Sequence, residues 1–389
     1  MKIGMIVHNP PNQGGIVQYC ILLSERLEKI EDLDLIGFKS LWPSFLYPGN
    51  EPNPRANAID FDLPVKKMIT WYNPISWCRA AFIVGKADIV HIHWYTPLFS
   101  PIYFTILMIN RLMFRKKVVI TCHNIEPHED SRLNKILIRS IFSHVDCFAV
   151  HAAENKNRLI KKYNIDPARI RVISHGTFSY FKRWSAESKQ DLQRALNIPD
   201  GKKVILFFGY IRRYKGLAYL IKAMPYVLKK EPEAFVVIAG ALWGDWEKQY
   251  GRYIKKYKMD SKFLINPFYV DDKKVHAYFD AADIVVLPYF NTEQTISGPL
   301  LVSFAFGKPT VVTSCGGIAN LVKDGVNALL SKPGDEKALA DSIVRLLGSR
   351  KLQDKLGRNA QKSKDNSWDK VAKDYDELYK TLIPGKKKR

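Results

Sequence analysis

The sequence contains few cysteines, and their spacing is not that of a metal or disulfide motif. Five cysteines, at positions 20, 78, 122, 147 and 315, stand far apart, with no Cys-x-x-Cys pair among them. An odd number of separated thiols excludes a complete disulfide framework and argues against a zinc knuckle. We therefore expect a protein of a reducing compartment that carries no structural zinc.

Long apolar runs and nucleotide-binding glycine motifs are also missing. The longest apolar run covers residues 101–109, which is shorter than the roughly 20 residues that cross a bilayer. The first residues, MKIGMIV, lack the longer apolar core of a signal peptide. No Gly-x-Gly-x-x-Gly or Gly-x-x-x-x-Gly-Lys-Ser/Thr pattern follows an apolar run. The expectation is a cytoplasmic protein without a membrane-spanning helix, a dinucleotide fingerprint or a P-loop.

Acidic residues are outnumbered by basic ones. The 38 Asp and Glu residues against 60 Lys and Arg residues give a formal net charge of +22. An excess of this size predicts a polyanionic partner, and nucleic acid, anionic lipid and phosphorylated substrates share the phosphate that would be attracted. No nucleic-acid-binding module is recognised, so no nucleic acid is expected as a partner, and a nucleic-acid-binding protein is kept only as an alternative.

The length and patterning of the chain predict two domains. A chain of 389 residues is long enough for two hydrophobic cores. Short β-branched runs alternate with segments of helical period in both halves, which is typical of parallel sheets with helical crossovers. We predict the α/β class with two doubly wound parallel sheets. The expected domains are residues 1–190 and 191–366, and a helix in residues 367–389 should return to the first domain before a basic tail.

Polar motifs follow the predicted strands, at the ends where ligands of doubly wound sheets bind. These motifs are, in order, GG (14–15), HIHW (91–94), CHNIEPHED (122–130), SHG (174–176), GYIRRYKG (209–216) and SGPLL (297–301). They combine glycine turns, histidines and a pair of cations, so the sequence places its chemistry at the strand ends.

The order of these motifs, together with AADIVVLPY (281–289) and NSWDKVAKDY (366–375), resembles the two-domain GT-B glycosyltransferases. The resemblance is to the retaining enzymes of glycosyltransferase family 4 and covers nearly the whole chain. It implies two Rossmann-like domains that face each other across a cleft, an acceptor-binding one followed by a donor-binding one. It also implies transfer of a sugar from a nucleotide-sugar substrate, without a cofactor or a metal ion, by front-face attack that retains the anomeric configuration.

Three positions depart from that family. Relatives carry two glutamates spaced Glu-x7-Glu before a Gly-x-Pro, which here is GKP, and Gln294 and Val302 occupy those two places. Glu293 lies beside the first place, and Asn320 replaces an acidic residue that often follows the next Gly-Gly. The second glutamate of relatives grips the donor ribose, so other groups would have to hold it here. A catalytically silent GT-B subunit is therefore kept as an alternative.

The segment SGPLL predicts a phosphate site. A helix that begins at Gly298 and Pro299 leaves its first N–H groups unpaired and concentrates positive partial charge there, which suits a diphosphate. The alternative is that Ser297 only caps an ordinary helix.

The motif GYIRRYKG supplies cations for the same site. The resemblance implies an arginine and a lysine that hold the donor phosphates; Lys215 matches the lysine, Arg212 stands in for the arginine, and Arg213 competes with it. A solvated basic turn is the alternative. The predicted donor-binding residues are Gly209, Arg212, Lys215, Glu293, Ser297, Gly298, Leu300 and Leu301.

Histidines of the first domain complete the predicted site. His123 matches the histidine that the family places near the donor sugar, and we predict His123, Arg212, Lys215 and Glu293 as the catalytic residues. Gly14, Gly15, His93 and His128 are predicted to line the acceptor side. Metal binding by these histidines is disfavoured, because their spacing is not that of a known zinc site.

A basic cluster follows the longest apolar run. Arg111, Arg115, Lys116 and Lys117, here called the membrane patch, stand directly after residues 101–109. An apolar stripe with clustered cations suits attachment to the cytoplasmic face of an anionic membrane, where a polyprenyl-diphosphate-linked glycan could be the acceptor. The alternative is a buried crossover helix with a solvated end.

Overall fold

The computed structural model describes residues 1–10, 12, 14–41, 63–125, 132–184, 186–290, 297–362 and 367–383. Three residues named above, His128, Glu293 and Gln294, lie outside the described residues.

The first part of the chain forms a seven-stranded sheet with helices on both faces. Its elements are β1 (Lys2–Val7), α1 (Gly15–Leu27), β2 (Asp32–Ser40), β3 (Lys66–Thr70), α2 (Pro74–Val84), β4 (Ile89–Trp94), α3 (Ser100–Ile109), β5 (Lys117–Cys122), α4 (Arg132–Phe142), β6 (Cys147–Val150), α5 (Ala153–Tyr163) and β7 (Ile170–Val172). The strand order is β3-β2-β1-β4-β5-β6-β7, and the pairings between these strands are parallel. Every residue of β4 is buried, as expected for a parallel strand covered on both faces.

The second part forms a six-stranded parallel sheet. Its elements are α6 (Lys189–Ala195), β8 (Lys203–Phe208), α7 (Leu217–Lys230), β9 (Ala234–Ala239), α8 (Arg252–Lys256), β10 (Phe263–Asn266), α9 (Val275–Ala281), β11 (Ile284–Leu287), α10 (Gly298–Ala305), β12 (Thr310–Thr313), β13 (Leu329–Ser331), α11 (Glu336–Leu347) and α12 (Arg350–Lys362). The strand order is β10-β9-β8-β11-β12-β13. Two sheets of this kind confirm the predicted α/β class.

The last helix belongs to the first of two compact units. Helix α13 (Trp368–Leu382) begins after Ser367, whose side chain accepts a hydrogen bond from the Lys370 backbone N–H. It packs on α1, where the hydroxyls of Tyr19 and Tyr375 lie 3.0 Å apart. The C-terminal helix therefore belongs to the same compact unit as the sheet formed by the first part of the chain.

The second unit begins at Thr177, earlier than the expected boundary after residue 190. The reason is hydrophobic: the side chains of Phe178 and Phe181 are buried in the core of the second unit, together with Leu192 of α6. A segment belongs to the unit whose core buries its apolar side chains. The sequence does not indicate this boundary, because the residues around Phe178 and Phe181 are mostly polar.

The apolar segment near residue 101 is longer in the structure than in the sequence pattern. Residues Pro97–Phe114 form 18 consecutive helical residues with a mean hydropathy of 1.3, which by length and composition could cross a membrane. However, Phe99, Ile102, Tyr103 and Ile106 are buried in the core of the first unit. Much of the apolar character of the segment is therefore explained by packing on the sheet.

Helix α2 packs closely on the first sheet at Gly4 of β1. A Cβ atom at Gly4 would lie 2.7 Å from the Cα atom of Val84, so Gly4→Ala has to push α2 away from β1. We expect a loss of about 1–3 kcal/mol in the free energy of unfolding, measured by denaturant titration. Gly15→Ala is the matched control, because a Cβ there meets nothing within 4 Å. Equal stability of the two variants would contradict this packing.

Candidate functional site

Each sheet reverses its strand order once, and the reversal defines a ligand-binding edge. In the first unit the order turns between β1 and β4, and in the second between β8 and β11. Ligands of doubly wound sheets bind outside the carboxyl ends of the strands at such a point. The predicted residues that the structure describes lie at these two edges, apart from the membrane patch.

Lys215 lies at the reversal point of the second unit and is buried, with 6% of its surface exposed. Its ammonium group donates to the Tyr289 hydroxyl at 3.1 Å and lies 4.6 Å from the centre of the same ring. Burial, together with the neighbouring Arg212 charge, lowers the pKa of Lys215 from its ordinary 10.5 to about 7. A buried lysine without a carboxylate among its described partners is an unfavourable arrangement that a bound anion would relieve.

The same tyrosine connects Lys215 to the start of α10. Tyr289 follows β11 and its hydroxyl also bonds the Ser297 hydroxyl, while Ser297 accepts a hydrogen bond from the Leu300 backbone N–H at 3.2 Å. Ser297 is thus the N-cap of α10, as the alternative interpretation of SGPLL predicted. It also joins a chain of hydrogen bonds that ends at Lys215, so the cap and the cation form one site.

Tyr289 was not predicted as a site residue, although it ends the motif AADIVVLPY (281–289). The motif LPY (287–289) ends β11 and leaves it, β11 pairs with β8, and the carboxyl ends of neighbouring parallel strands meet at one edge.

Arg212 lies beside Lys215 with a different environment. Its guanidinium lies 4.2 Å from the centre of the Trp243 ring, and its Nε is buried without a partner among the described residues. Arg213 is exposed. Arg212 therefore has a buried donor that its described neighbours leave unused. Trp243, which follows β9, was not anticipated.

Gly209 allows α10 to approach the end of β8. It has a φ of +102°, and a Cβ there would lie 2.9 Å from the Cγ atom of Pro299. Any larger residue would be strained and would push the first turn of α10 away. Gly209 therefore has a structural role that brings the helix start to the cations.

The remaining predicted residues of α10 differ in exposure. Gly298 and Leu301 are half-buried, whereas the Leu300 side chain is fully buried and its backbone N–H already bonds the Ser297 hydroxyl. Val302, at the place of the missing glutamate, is 3% exposed and packs in the core of the second unit. No carboxylate replaces it on the described helix.

Five histidines line the edge of the first unit. Each stands at or just after the carboxyl end of a parallel strand: His8 after β1, His93 in β4, His123 after β5, His151 after β6 and His175 after β7. The ring of Tyr19 from α1 lies within 4.7–5.7 Å, centre to centre, of the last four. His93 and His123 were predicted as site residues, and His175 lies in the motif SHG (174–176), whereas His8 and His151 were not predicted.

Three of these histidines form a hydrogen-bonded chain. His93 Nδ1 lies 3.1 Å from His123 Nε2, His123 Nδ1 lies 3.3 Å from His151 Nε2, and His151 Nδ1 lies 3.1 Å from the carbonyl oxygen of Ile173. Both ring nitrogens of His123 are thus engaged by the protein. Direct contact of His123 with a sugar hydroxyl, as first expected, requires one of these bonds to be exchanged.

Burial keeps these rings neutral. Desolvation lowers the pKa of His8 and of His151 to about 4, and it holds the pKa of His93 and of His123 well below the ordinary 6.5. Among the described residues no group of three or more His, Cys, Asp or Glu side chains is arranged to hold a metal ion. The rings contact one another instead, with those of His93 and His123 stacked at 5.3 Å.

The glycines beside this edge differ. Gly14 has a φ of +111°, which favours glycine, and it precedes α1; a side chain at Gly15 would enter open space. The backbone at Gly15 is therefore open to an approaching group, as the acceptor-side prediction requires.

The membrane patch lies at the opposite edge of the first sheet. Lys117 begins β5, five residue steps before Cys122 at its carboxyl end, which is roughly 17 Å along the strand. Arg111, Arg115, Lys116 and Lys117 line an open pocket of about 890 Å³. Two of the four have partners: Lys117 donates to Asp146 at 2.8 Å and Arg111 contacts His144 at 3.1 Å.

The lowered pKa of Lys215 predicts a pH-dependent stability. Between about pH 7 and 10.5 the unfolded chain keeps a proton that the folded Lys215 has lost, so the free energy of unfolding should rise with pH in this window. Lys215→Met should stabilise the protein by a few kcal/mol at pH 6.5 and much less at pH 10. Denaturant titrations at the two pH values test this. A stability difference that does not change with pH would show that Lys215 titrates normally.

Comparisons with known proteins agree with this architecture. The model described as Glycosyltransferase Family 4 matches residues 13–177, and the model described as Glycosyl transferases group 1 matches residues 188–363. The chain is 26% identical over 310 residues to an uncharacterized glycosyltransferase of Methanocaldococcus jannaschii, covering 77% of each chain. It is also 26% identical over 261 residues to the D-inositol 3-phosphate glycosyltransferase of Corynebacterium glutamicum, covering 65% of this chain and 62% of that protein, less than two thirds of its length.

Solved structures share the fold at low sequence identity. Anabaena HepE in complex with UDP-glucose superposes with a TM-score of 0.79 at 16% identity, covering 98% of this chain and all of that one. Sucrose-phosphate synthase from Thermosynechococcus elongatus gives a TM-score of 0.73 at 19% identity, covering 99% of this chain. The family matches divide the chain much as its two sheets do, and the chain is a GT-B glycosyltransferase of family 4, with a group 1 second half.

Proposed function

We propose that this glycosyltransferase takes its sugar from a nucleotide donor held by the second unit, with UDP-glucose as the first donor to test. It transfers the sugar, with retention of the anomeric configuration, to a glycan or lipid-linked acceptor at the cytoplasmic face of a membrane. The observation that carries the donor assignment is the buried Lys215 at the reversal point of the second sheet, joined to the N-cap of α10.

A diphosphate would satisfy two side chains that the protein leaves under-used, and it would meet the positive end of α10. Lys215 would become fully charged beside an anion, which raises its pKa, and the buried Nε of Arg212 would gain an acceptor. The first N–H groups of α10 add positive partial charge, which favours a phosphate. In the reaction these groups would neutralise the charge that develops on the leaving diphosphate.

The comparisons support this donor. Anabaena HepE, which shares the fold, was solved with UDP and with UDP-glucose. The Corynebacterium relatives are named for a phosphorylated inositol, and an acceptor that carries phosphate agrees with the charge excess of this chain. With Val302 in the core, the ribose must be held by groups other than a glutamate of α10.

Binding of UDP should be accompanied by uptake of a proton. At pH 8 the free Lys215 is mostly neutral, and a bound diphosphate should return about one proton to it. Calorimetric titration in buffers of different ionisation enthalpy measures this uptake. Lys215→Met should abolish the uptake and lower kcat for sugar transfer by about 100-fold or more, because charge on the leaving group is no longer neutralised.

Lys229→Met is the matched control for this experiment, since Lys229 is an exposed lysine at the end of α7. It should bind UDP, take up the proton and transfer sugar as the unchanged protein does. UDP binding without proton uptake at pH 8, and with the same affinity in Lys215→Met, would remove Lys215 from the donor site. The absence of transfer from every nucleotide sugar would defeat the proposed donor.

We place the protein on a membrane surface through the membrane patch. Two apolar side chains beside the cations, Leu112 and Met113, are 70% and 60% exposed. An exposed apolar pair flanked by Arg111 and Arg115 suits shallow insertion among anionic head groups. Packing of α3 on the sheet explains the buried part of the apolar segment, but it does not explain these two side chains.

The position of the membrane patch limits which acceptors can reach the histidine edge. The histidine edge is roughly 17 Å from the patch along β5, so a membrane held at the patch cannot present a short head group to that edge. A lipid-linked glycan of several sugars can extend that far. We therefore favour an elongating glycan over a bare lipid phosphate as the acceptor.

Vesicle flotation tests this attachment. Arg115→Gln/Lys116→Gln/Lys117→Gln should weaken capture by anionic vesicles by about 100-fold, since each cation near the surface contributes about 1 kcal/mol, and high salt should release the unchanged protein. Leu112→Ser/Met113→Ser should remove the part of the binding that resists salt.

Deletion of Lys386 to Arg389 is the control, because it removes four cations that do not adjoin the apolar pair in sequence. It should weaken capture less than the triple substitution. Equal capture by neutral and anionic vesicles, or capture by neither, would defeat the membrane placement and favour a soluble acceptor.

A further inference from the structure

The histidine chain of the first unit has a direction that its last partner determines. A carbonyl oxygen only accepts hydrogen bonds, so the contact between His151 Nδ1 and the Ile173 carbonyl requires a proton on Nδ1 of His151. A neutral imidazole carries one proton, and the burial that lowers the pKa of His151 to about 4 keeps it neutral. Its Nε2 is therefore an acceptor.

The same reasoning applies to the next two histidines, His123 and His93. Because Nε2 of His151 accepts, the proton between the two rings must lie on Nδ1 of His123, which leaves Nε2 of His123 as an acceptor in turn. Nδ1 of His93 must then donate to it. The chain should end at Nε2 of His93, which is buried and has no hydrogen-bond partner within the described ranges. A bare lone pair at that end agrees with a ring protonated on Nδ1.

We infer that His93 and His151 are positioning residues that hold His123 in the form protonated on Nδ1, with an unprotonated Nε2. The inference rests on the proposed function for its kinetic consequence, but the protonation state is a property of the free protein. Neither residue has to touch the substrate: Nε2 of His151 accepts a hydrogen bond from Nδ1 of His123, and Nδ1 of His93 donates one to Nε2 of His123.

This arrangement restricts what His123 can bind. A group that replaces His93 at Nε2 of His123 has to bring a hydrogen atom, as a sugar hydroxyl does. A phosphate oxygen or a carbonyl oxygen would meet a lone pair and be repelled. The chain therefore orients His123 toward a hydroxyl and away from the anionic part of a donor.

The surroundings hold the rings in place. Tyr19 packs on all three, with ring centres 5.7, 4.7 and 5.0 Å from those of His93, His123 and His151. The Tyr19 hydroxyl bonds Tyr375 of α13, which bonds Thr121 beside His93. A ring held by packing and by hydrogen bonds on both nitrogens keeps one orientation, as precise chemistry requires.

15N NMR of protein labelled with 15N-histidine tests the inference without an activity assay. At neutral pH, the directly bonded hydrogen of His123 should be found on Nδ1, and its Nε2 should be unprotonated. His151→Phe removes the acceptor and should shift His123 toward the form protonated on Nε2. His151→Gln keeps an acceptor at that place and should retain the original form. A proton on Nε2 of His123 in the unchanged protein would overturn the inference.

Kinetics of the same variants provide the second readout. His151→Phe should lower kcat by about 10- to 100-fold, as for other residues that orient a functional group, with the KM of the nucleotide sugar within about twofold. His151→Gln should recover most of the loss. His276→Phe is the control, because His276 is likewise a buried histidine but lies on α9 of the second unit, outside the histidine chain.

The two proposals fail in different ways. If no nucleotide sugar supports transfer, the proposed function fails, and the protonation of His123 still decides the inference. If transfer occurs but His151→Phe is fully active, or His276→Phe loses as much activity, the positioning role is overturned while the proposed function stands.

Discussion

Parallel pairing of the strands is the constraint on which the two sites depend. In a parallel sheet the chain returns to the same edge before each new strand, so the carboxyl ends of all strands gather at the opposite edge. Residues from distant parts of the sequence then meet there without any local pattern. His93, His123 and His151 are neighbours because β4, β5 and β6 are adjacent and parallel. Lys215 and Tyr289 meet for the same reason, since β8 pairs with β11.

Both edges bury ionisable groups, but they satisfy them differently. The histidines of the first unit are neutral and use their nitrogens on one another, so that edge carries hydrogen-bonding direction without net charge. The second unit buries a lysine beside an arginine, and its described contacts to Lys215 are a hydroxyl and two aromatic rings. The first arrangement suits neutral hydroxyl groups and the second suits an anion. The two units thus divide a sugar acceptor and a phosphorylated donor between them in our proposal.

The far edge of the first sheet has another character. There the crossover helix α3 ends in a turn that exposes Leu112 and Met113 beside clustered cations. A crossover helix necessarily runs from the carboxyl edge to the amino edge of its sheet, so its end lies a strand length away from the histidines. In our proposal this separation keeps a membrane-attached surface away from the histidines, and it sets a minimum length for a lipid-linked acceptor.

The sequence by itself determined the fold class and the family, and it predicted Lys215, Arg212 and His123 as site residues. Strand periodicity, the order of the elements and the motifs at strand ends are local features that can be read directly from the sequence. Tertiary structure alone decided which atoms these side chains bond. Tyr289 and His151 are separated in sequence from the residues they contact, and only the adjacency of parallel strands brings them together. It also decided that Val302 packs in a core and that Phe178 belongs to the second unit, since burial depends on what surrounds a residue in space. The protonation of the histidines is likewise a tertiary property, because desolvation and the Ile173 carbonyl together determine it, and no sequence motif encodes either.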